Sequence, residues 1–171
     1  MANKKIVLDA DVIIHFSKVN KLYLLARFLP KYDFIVLDIV YNEINNRTRT
    51  NLKNVIDSLK EISLVTFPQD VNMMSEYGKL TRNLGKGESA CMSYCRFSSN
   101  VVGSSNFIDI RNYCTKHSIP YVGTVDFLYY GIKNGVINEK EAESLLNSMI
   151  DQGAKLPSFF DYSTHIPSAI L

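Results

Sequence analysis

The sequence predicts an α/β protein with a central parallel sheet of about five strands flanked by helices. Two observations predict this fold. Short apolar segments recur along the chain, and most are followed by a stretch in which apolar residues return every three or four positions. The chain has 171 residues, of which 46% are hydrophobic and 21% charged, so it can build one core and is not disordered.

The apolar segments are predicted to be strands buried on both faces, because parallel strands covered by helices carry few polar residues. Each segment stops at residues that do not continue a strand: Asp9 ends the first, Asp38 the second and Pro68 the third. The predicted strands are residues 5–8, 33–37, 64–67, 100–102 and 119–122.

The helices are predicted from apolar spacing and from capping residues. Asp70 is expected to cap a helix, Gly85 and Gly87 to interrupt the pattern after it, and Asn138 with Glu141 to form a capping box. The predicted helices are residues 12–22, 38–62 with an interruption, 71–84, 89–97, 108–117, 126–134 and 138–152.

Residues 1–153 are predicted to form a single domain, with residues 154–171 as a tail that packs on it. The formal charge of +2 neither requires nor excludes a nucleic-acid partner. Three cysteines without a CxxC pair argue against a disulfide scaffold and favour a cytoplasmic protein. No stretch approaches the roughly 18 apolar residues of a membrane span, and no secretory signal is recognisable.

Acidic residues follow the predicted strand ends or begin the adjoining helices. The carboxyl ends of parallel strands meet at one edge of the sheet, where sites form. Clustered carboxylates stay ionised only around a cation, and oxygen ligands suit Mg²⁺ or Mn²⁺. Such an ion can assist in-line phosphodiester displacement. The pattern therefore indicates a metal-dependent nuclease or phosphatase; the acids are Asp9, Asp11, Asp38, Glu43, Glu88, Asp109 and Asp126.

A purely structural interpretation competes with the metal site. Asp11, Asp38 and Asp70 could each be an N-cap, and a first-turn acid such as Glu88 is favoured by the helix dipole. Asp9 and Glu43 fit this interpretation less well. Asp9 is expected to end a buried strand without needing to cap, and Glu43 lies in an otherwise apolar helix start.

Four segments, in order, resemble motifs of the PIN-domain nucleases. They are KKIVLDADVII at residues 4–14, IVLDIVYNEI at 35–44, GKGESACMSYC at 85–95 and YVGTVDFLYYGIKNGVI at 121–137. The resemblance covers roughly residues 4–153. It implies a PIN fold with Mg²⁺ or Mn²⁺ in an acidic pocket, usually cutting single-stranded RNA. Many small bacterial members are VapC-type toxins neutralised by an antitoxin protein, and homodimers are expected.

The resemblance assigns the first three family acids to Asp9, Glu43 and Glu88, and the residue that supports the first to Asp11. The family often has a fourth acid after the fourth strand, where this chain has Ser104-Ser105-Asn106. Asp126 or Asp109 is expected to complete the site instead, with Asp126 counted among the catalytic residues. The residues expected to support the site are Asp11, Ser105, Asn106 and Thr124.

Three cations near these motifs are candidate RNA contacts: Arg47, Arg49 and Lys86. A solvated surface is the alternative interpretation of each. The leading hypothesis is a Mg²⁺- or Mn²⁺-dependent endoribonuclease, and the resemblance makes it a candidate toxin of a toxin–antitoxin pair. The main rival is a catalytically degenerate PIN domain that binds RNA or protein. A small-molecule phosphatase fits less well, because no Asp-x-Asp-x-Thr/Val motif is completed after residues 9–12.

Overall fold

The computed structural model of the chain describes residues 3–171. Within them, five strands form one all-parallel sheet in the order β3-β2-β1-β4-β5. This arrangement confirms the predicted α/β class. The strands are β1 (Lys5–Leu8), β2 (Asp33–Leu37), β3 (Ile62–Val65), β4 (Val101–Gly103) and β5 (Tyr121–Val122).

Nine helices lie between and after the strands in the described part of the chain. They are α1 (Ala10–Lys18), α2 (Leu24–Phe28), α3 (Asp38–Glu43), α4 (Asn46–Leu59), α5 (Val71–Leu80), α6 (Lys86–Ser98), α7 (Phe107–Lys116), α8 (Thr124–Lys133) and α9 (Glu139–Asp151). Helix α1 contacts α4, α5 contacts α6 and α2 contacts α8. Ile6, Val7 and Leu8 of the central strand are fully buried.

The strand bounds of β1 and β2 match the prediction, whereas β3 begins two residues earlier than predicted. The predicted helix 38–62 is two helices, α3 and α4. Their break lies at Ile44 and Asn45, whose backbones are extended, and the Asn45 side chain accepts a hydrogen bond from the Thr48 N–H at 2.9 Å. Helix α4 ends at Leu59, and the next residue, Lys60, has a left-handed φ of 55°, so the chain leaves the helix there and β3 starts at Ile62.

The sequence pattern did not reveal α2, because its five residues are too few to show a helical period. It is stabilised by tertiary packing. A Cβ placed on Gly131 of α8 would lie 2.7 Å from the Phe28 ring, so the glycine permits a close approach of the two helices.

The C-terminal tail (residues 154–171) is tied to α8. The Tyr130 hydroxyl donates to the carbonyl of Ala169 at 2.6 Å and accepts from the N–H of Leu171 at 2.9 Å. The three cysteines are buried and unpaired. In the described range, no helix combines the length and the apolar character needed to cross a membrane.

Candidate active site

Asp9 lies at the carboxyl end of the central strand and is only 5% exposed. Its N–H donates to the Gly103 carbonyl at 2.8 Å, which extends the pairing of β1 with β4. Its Oδ1 accepts from the Ala10 N–H at 2.8 Å and caps α1. The expectation that Asp9 has no capping role is therefore wrong. The other carboxylate oxygen, Oδ2, does not take part in the cap.

Glu43, the last residue of α3, reaches across to the start of α6. Its Oε2 accepts a hydrogen bond from the Gly87 N–H at 2.9 Å. A Cβ on Gly87 would collide with that oxygen and would lie 3.2 Å from Asp9 Oδ1. The carboxylates of Asp9 and Glu43 therefore both face the same buried glycine, although the Glu43 residue as a whole is exposed.

Glu88 follows Gly87 directly and is 9% exposed. Its Oε1 accepts from the Asn106 amide at 2.6 Å, and the same Nδ2 donates to Asp109 Oδ2 at 2.8 Å. Asn106 thus joins two carboxylates at the point where the family often carries its fourth acid. Asp109 is exposed and reaches the site through this amide.

Asp11 is held by the loop after β4. Its Oδ2 accepts from the Ser105 N–H at 2.7 Å and from the Ser104 hydroxyl at 3.4 Å. The Ser105 hydroxyl lies 2.8 Å from Thr124 Oγ1, which in turn lies 2.8 Å from His15 Nδ1. A continuous set of hydrogen bonds therefore links Asp11 to the start of α8.

The electrostatics of these acids are those of crowded, desolvated carboxylates. Burial, reinforced by the charge of Asp11, raises the pKa of Asp9 to about 8. Burial also raises the pKa of Glu88 to about 7, against the opposing hydrogen bond from Asn106. The pKa of Asp11 is raised by burial as well. Each shift means that the ionised form lacks a compensating positive charge.

A divalent cation would supply that charge, and the donor set suits it. Carboxylate oxygens from Asp9, Glu43 and Glu88 are the hard ligands that Mg²⁺ and Mn²⁺ prefer. Among residues 3–171, however, no group of three His, Cys, Asp or Glu side chains is arranged to hold a metal ion. The fit therefore rests on donor chemistry and on the contacts that Asp9 and Glu43 share at Gly87.

Asp126, predicted to be a catalytic residue and metal ligand, is engaged elsewhere. Its Oδ2 accepts from the Gly123 N–H at 2.9 Å, which closes the capping box of α8. Its Oδ1 lies 2.8 Å from His165 Nε2 and 3.2 Å from the Ser168 N–H. Both oxygens are therefore used to cap α8 and to hold the C-terminal tail.

Arg49, predicted to contact RNA, donates instead to backbone carbonyls. Its guanidinium reaches the carbonyls of Tyr41 at 3.2 Å, Asn42 at 3.1 Å and Ile44 at 3.1 Å. These are carbonyls at the end of α3, where a positive charge is favoured by the helix dipole. Arg49 therefore positions the segment that carries Glu43.

The other predicted residues are either exposed on the surface or accept backbone hydrogen bonds at the start of a helix. Arg47 and Lys86 are exposed and therefore accessible to RNA, and their contacts with RNA stay a prediction. Asp70 is the N-cap of α5, as the structural interpretation predicted. Asp38 is not an N-cap, because the cap position of α3 is Leu37. Its carboxylate accepts instead from the Ile39 and Phe67 N–H groups.

Two contributors to the site were not identified from sequence. Gly87 was recognised only as part of a motif, and nothing in its local pattern shows that two carboxylates face it. His15 has only one sequence signal, its position four residues after Asp11 on α1. Burial lowers the pKa of His15 to about 4, so it is neutral beside Thr124.

The DUF3368 family model, described as a PIN domain, matches residues 5–160. The chain therefore belongs to the PIN-domain family, whose members are generally nucleases. The match and the parallel five-stranded sheet together confirm the predicted PIN-like fold. No curated protein matches the chain.

Proposed function

We propose that the protein is a Mg²⁺- or Mn²⁺-dependent endoribonuclease that hydrolyses phosphodiester bonds in single-stranded RNA. One observation carries the proposal: Asp9 and Glu43 face the same glycine, and the next residue is Glu88. Carboxylates that served only as separate helix caps would have no reason to share a glycine in this way, as those of Asp9 and Glu43 do. Family membership adds independent support, because PIN domains are generally nucleases.

In this proposal Asp9, Glu43 and Glu88 hold the ion. When bound, the ion supplies a polarised water and neutralises charge that develops on the phosphoryl oxygens. Asn106 orients Glu88 through its 2.6 Å hydrogen bond. Asp11, fixed by the Ser105 N–H, adds negative charge beside Asp9 and increases the attraction of the site for a cation.

The test is cleavage of a labelled single-stranded RNA with Mn²⁺, with Mg²⁺ and with excess chelator. The wild type should cleave only with metal, and Glu88→Gln should lose at least about a hundredfold in rate, the scale of removing one group that stabilises developing charge. Glu143→Gln, which removes an exposed acid of α9, is the matched control and should cleave normally. Cleavage that survives both chelator and Glu88→Gln contradicts the proposal, and cleavage confined to DNA contradicts the RNA assignment.

A degenerate PIN domain that binds RNA or protein is the second candidate. Ser104 and Ser105 stand where the family often has an acid, and Asp126 is engaged with the tail. Binding of RNA without cleavage under any metal condition would favour this candidate.

The partner part of the proposal rests on the family resemblance. The protein would act in the cytoplasm as the toxin of a toxin–antitoxin pair and would form homodimers. Expression in a bacterium should then arrest growth, Glu88→Gln should relieve the arrest, and light scattering should give twice the 19.4 kDa chain mass. Normal growth with active enzyme would contradict the toxin role.

A further inference from the structure

A cavity of about 560 Å³ lies between the loop after β4, helices α7 and α8, and the C-terminal tail. We call it the tail cavity. Its volume falls within the roughly 300–1,000 Å³ of small-ligand sites. Ser105 and Thr124 line it, and the Ser105 N–H donates to Asp11. The tail cavity and the acidic site therefore share a wall.

The lining of the tail cavity combines aromatic rings with cations. Phe107, Phe159 and Phe160 contribute rings, and Phe159 is 78% exposed although it is a large apolar side chain. The Arg111 guanidinium lies 5.7 Å from the centre of the Phe107 ring, and Lys155 stands on the tail side. Neither cation forms an ion pair within residues 3–171.

The two acids in this lining, Asp126 and Asp161, each accept hydrogen bonds from neighbouring residues. Asp126 is held by Gly123, Ser168 and His165, as described above. Asp161 Oδ1 accepts from the Ser163 N–H at 2.9 Å and from its hydroxyl at 2.6 Å. Asp161 keeps its negative charge, but within residues 3–171 neither Arg111 nor Lys155 is ion-paired with it or with Asp126, so both cations are free to bind a phosphate.

The wall formed by the tail is fixed rather than loosely attached. His165 Nε2 contacts Asp126 at 2.8 Å, and the Tyr130 hydroxyl bonds to both Ala169 and Leu171. Lys18 donates to the Gln152 carbonyl at 2.6 Å, just before the tail begins. A site with a fixed wall loses less entropy when it binds a ligand.

We infer that the tail cavity binds one nucleotide of the RNA strand whose neighbouring phosphodiester lies in the acidic site. The tail phenylalanines stack on the base, and Arg111 and Lys155 contact its phosphate. Aromatic faces accept any base, and cations follow the strand backbone. This inference rests on the proposed function, since it extends the path of the same substrate.

The test is fluorescence anisotropy of a labelled single-stranded RNA with the full chain in chelator, where no metal-dependent cleavage occurs. Arg111→Ala and Phe159→Ala should each weaken binding about tenfold. Arg111→Ala should also lower the slope of log affinity against log salt by about 0.7. The matched controls are Lys116→Ala, an exposed cation on α7 outside the cavity, and Phe97→Ala, a 42% exposed phenylalanine on α6. Both controls should bind as wild type.

An abasic strand separates stacking from charge. With it, Phe159→Ala should bind as wild type does, whereas Arg111→Ala should still bind more weakly. Equal affinities of wild type, Arg111→Ala and Phe159→Ala for the normal strand would overturn the inference, as would an equal loss in the two controls. Melting temperatures of all variants establish that each is folded.

Three further outcomes distinguish a free nucleotide from an RNA strand as the ligand, and the failure of this inference from the failure of the nuclease proposal. A free 5′-mononucleotide that binds more tightly than the strand would overturn the assignment to RNA. If Arg111→Ala and Phe159→Ala bind and cleave as wild type while Glu88→Gln is inactive, the inference fails and the nuclease proposal stands. If Arg111→Ala and Phe159→Ala lose binding but neither the wild type nor any variant cleaves RNA, the nuclease proposal fails, while the binding of RNA in the tail cavity stands.

Discussion

Replacing Gly87 by alanine tests whether Asp9 and Glu43 act as a pair. The new methyl group would occupy the space between their carboxylates, colliding with Glu43 Oε2 and lying 3.2 Å from Asp9 Oδ1. Asp9 is buried and fixed as a cap, whereas Glu43 is the far end of an exposed side chain. Glu43 should therefore move away and lose its hydrogen bond from the Gly87 N–H.

The effect on the free energy of unfolding without metal should be small, because two terms oppose each other. Alanine is favoured over glycine in a helix by about 0.5–1 kcal/mol. Losing a hydrogen bond to a charged group costs about 1.5–3 kcal/mol, and the exposed Glu43 carboxylate places this loss near the lower bound. The net change should be about 1 kcal/mol or less, which is about 2–4 °C in melting temperature for a chain of this size.

The effect on metal binding should be large by comparison. If wild type at a hundred times its Kd gains about 2.7 kcal/mol from metal, a tenfold weaker variant gains about 1.4 kcal/mol at the same concentration. Thermal melts with and without Mn²⁺ measure both quantities. The metal-induced rise in melting temperature should therefore fall to about half, while the melting temperature in chelator changes little.

Gly78→Ala is the matched control, because this glycine lies within α5 and an added Cβ would meet nothing within 4 Å. It should raise the melting temperature by about 2–4 °C and leave the response to Mn²⁺ unchanged. A Gly87→Ala variant with the full wild-type response to Mn²⁺ would refute the pairing of Asp9 with Glu43 as metal ligands.

Variants of Asp9 and of Arg49 test one member of this pair and the residue that positions the other. Burial raises the pKa of Asp9 to about 8, so the folded protein holds this proton more tightly than the unfolded chain does, and stability without metal should fall as pH rises from about 4 towards 8. Asp9→Asn should reduce this dependence of stability on pH and leave the melting temperature at pH 8 unchanged or a few degrees higher. It should also abolish the rise in melting temperature that Mn²⁺ causes, and an intact rise would exclude Asp9 as a ligand. Arg49→Ala should lose about 2 kcal/mol, or about 4–8 °C in melting temperature, because carbonyls of Tyr41, Asn42 and Ile44 lose their donor. Its exposed neighbour Arg47→Ala should melt as wild type, and equal melting temperatures for the two variants would contradict the positioning role of Arg49.

The sequence by itself determined the fold class and which acidic residues are available to form a site. Apolar runs such as residues 5–8 and 33–37 can be buried on both faces only in a helix-covered sheet, which is why their bounds were predictable. Capping is equally local, since Asp70 bonds to N–H groups two and three residues ahead of it. The acids that follow the strands could also be identified from the sequence, because their position next to a strand is a local feature of the chain.

Only the tertiary structure decided which of those acids meet. The strand order places β4 beside β1, and the loop after β4 supplies the Ser105 N–H to Asp11 and the Asn106 amide to Glu88. In the sequence Asp126 looks equivalent to the other acids that follow strands. In the structure its carboxylate is bound by His165 and Ser168 of the tail, which lie about forty residues further along the chain. Contacts between residues so far apart in the chain depend on strand order and on the path of the tail. Both result from packing the whole core, and neither leaves a periodic pattern in the local sequence.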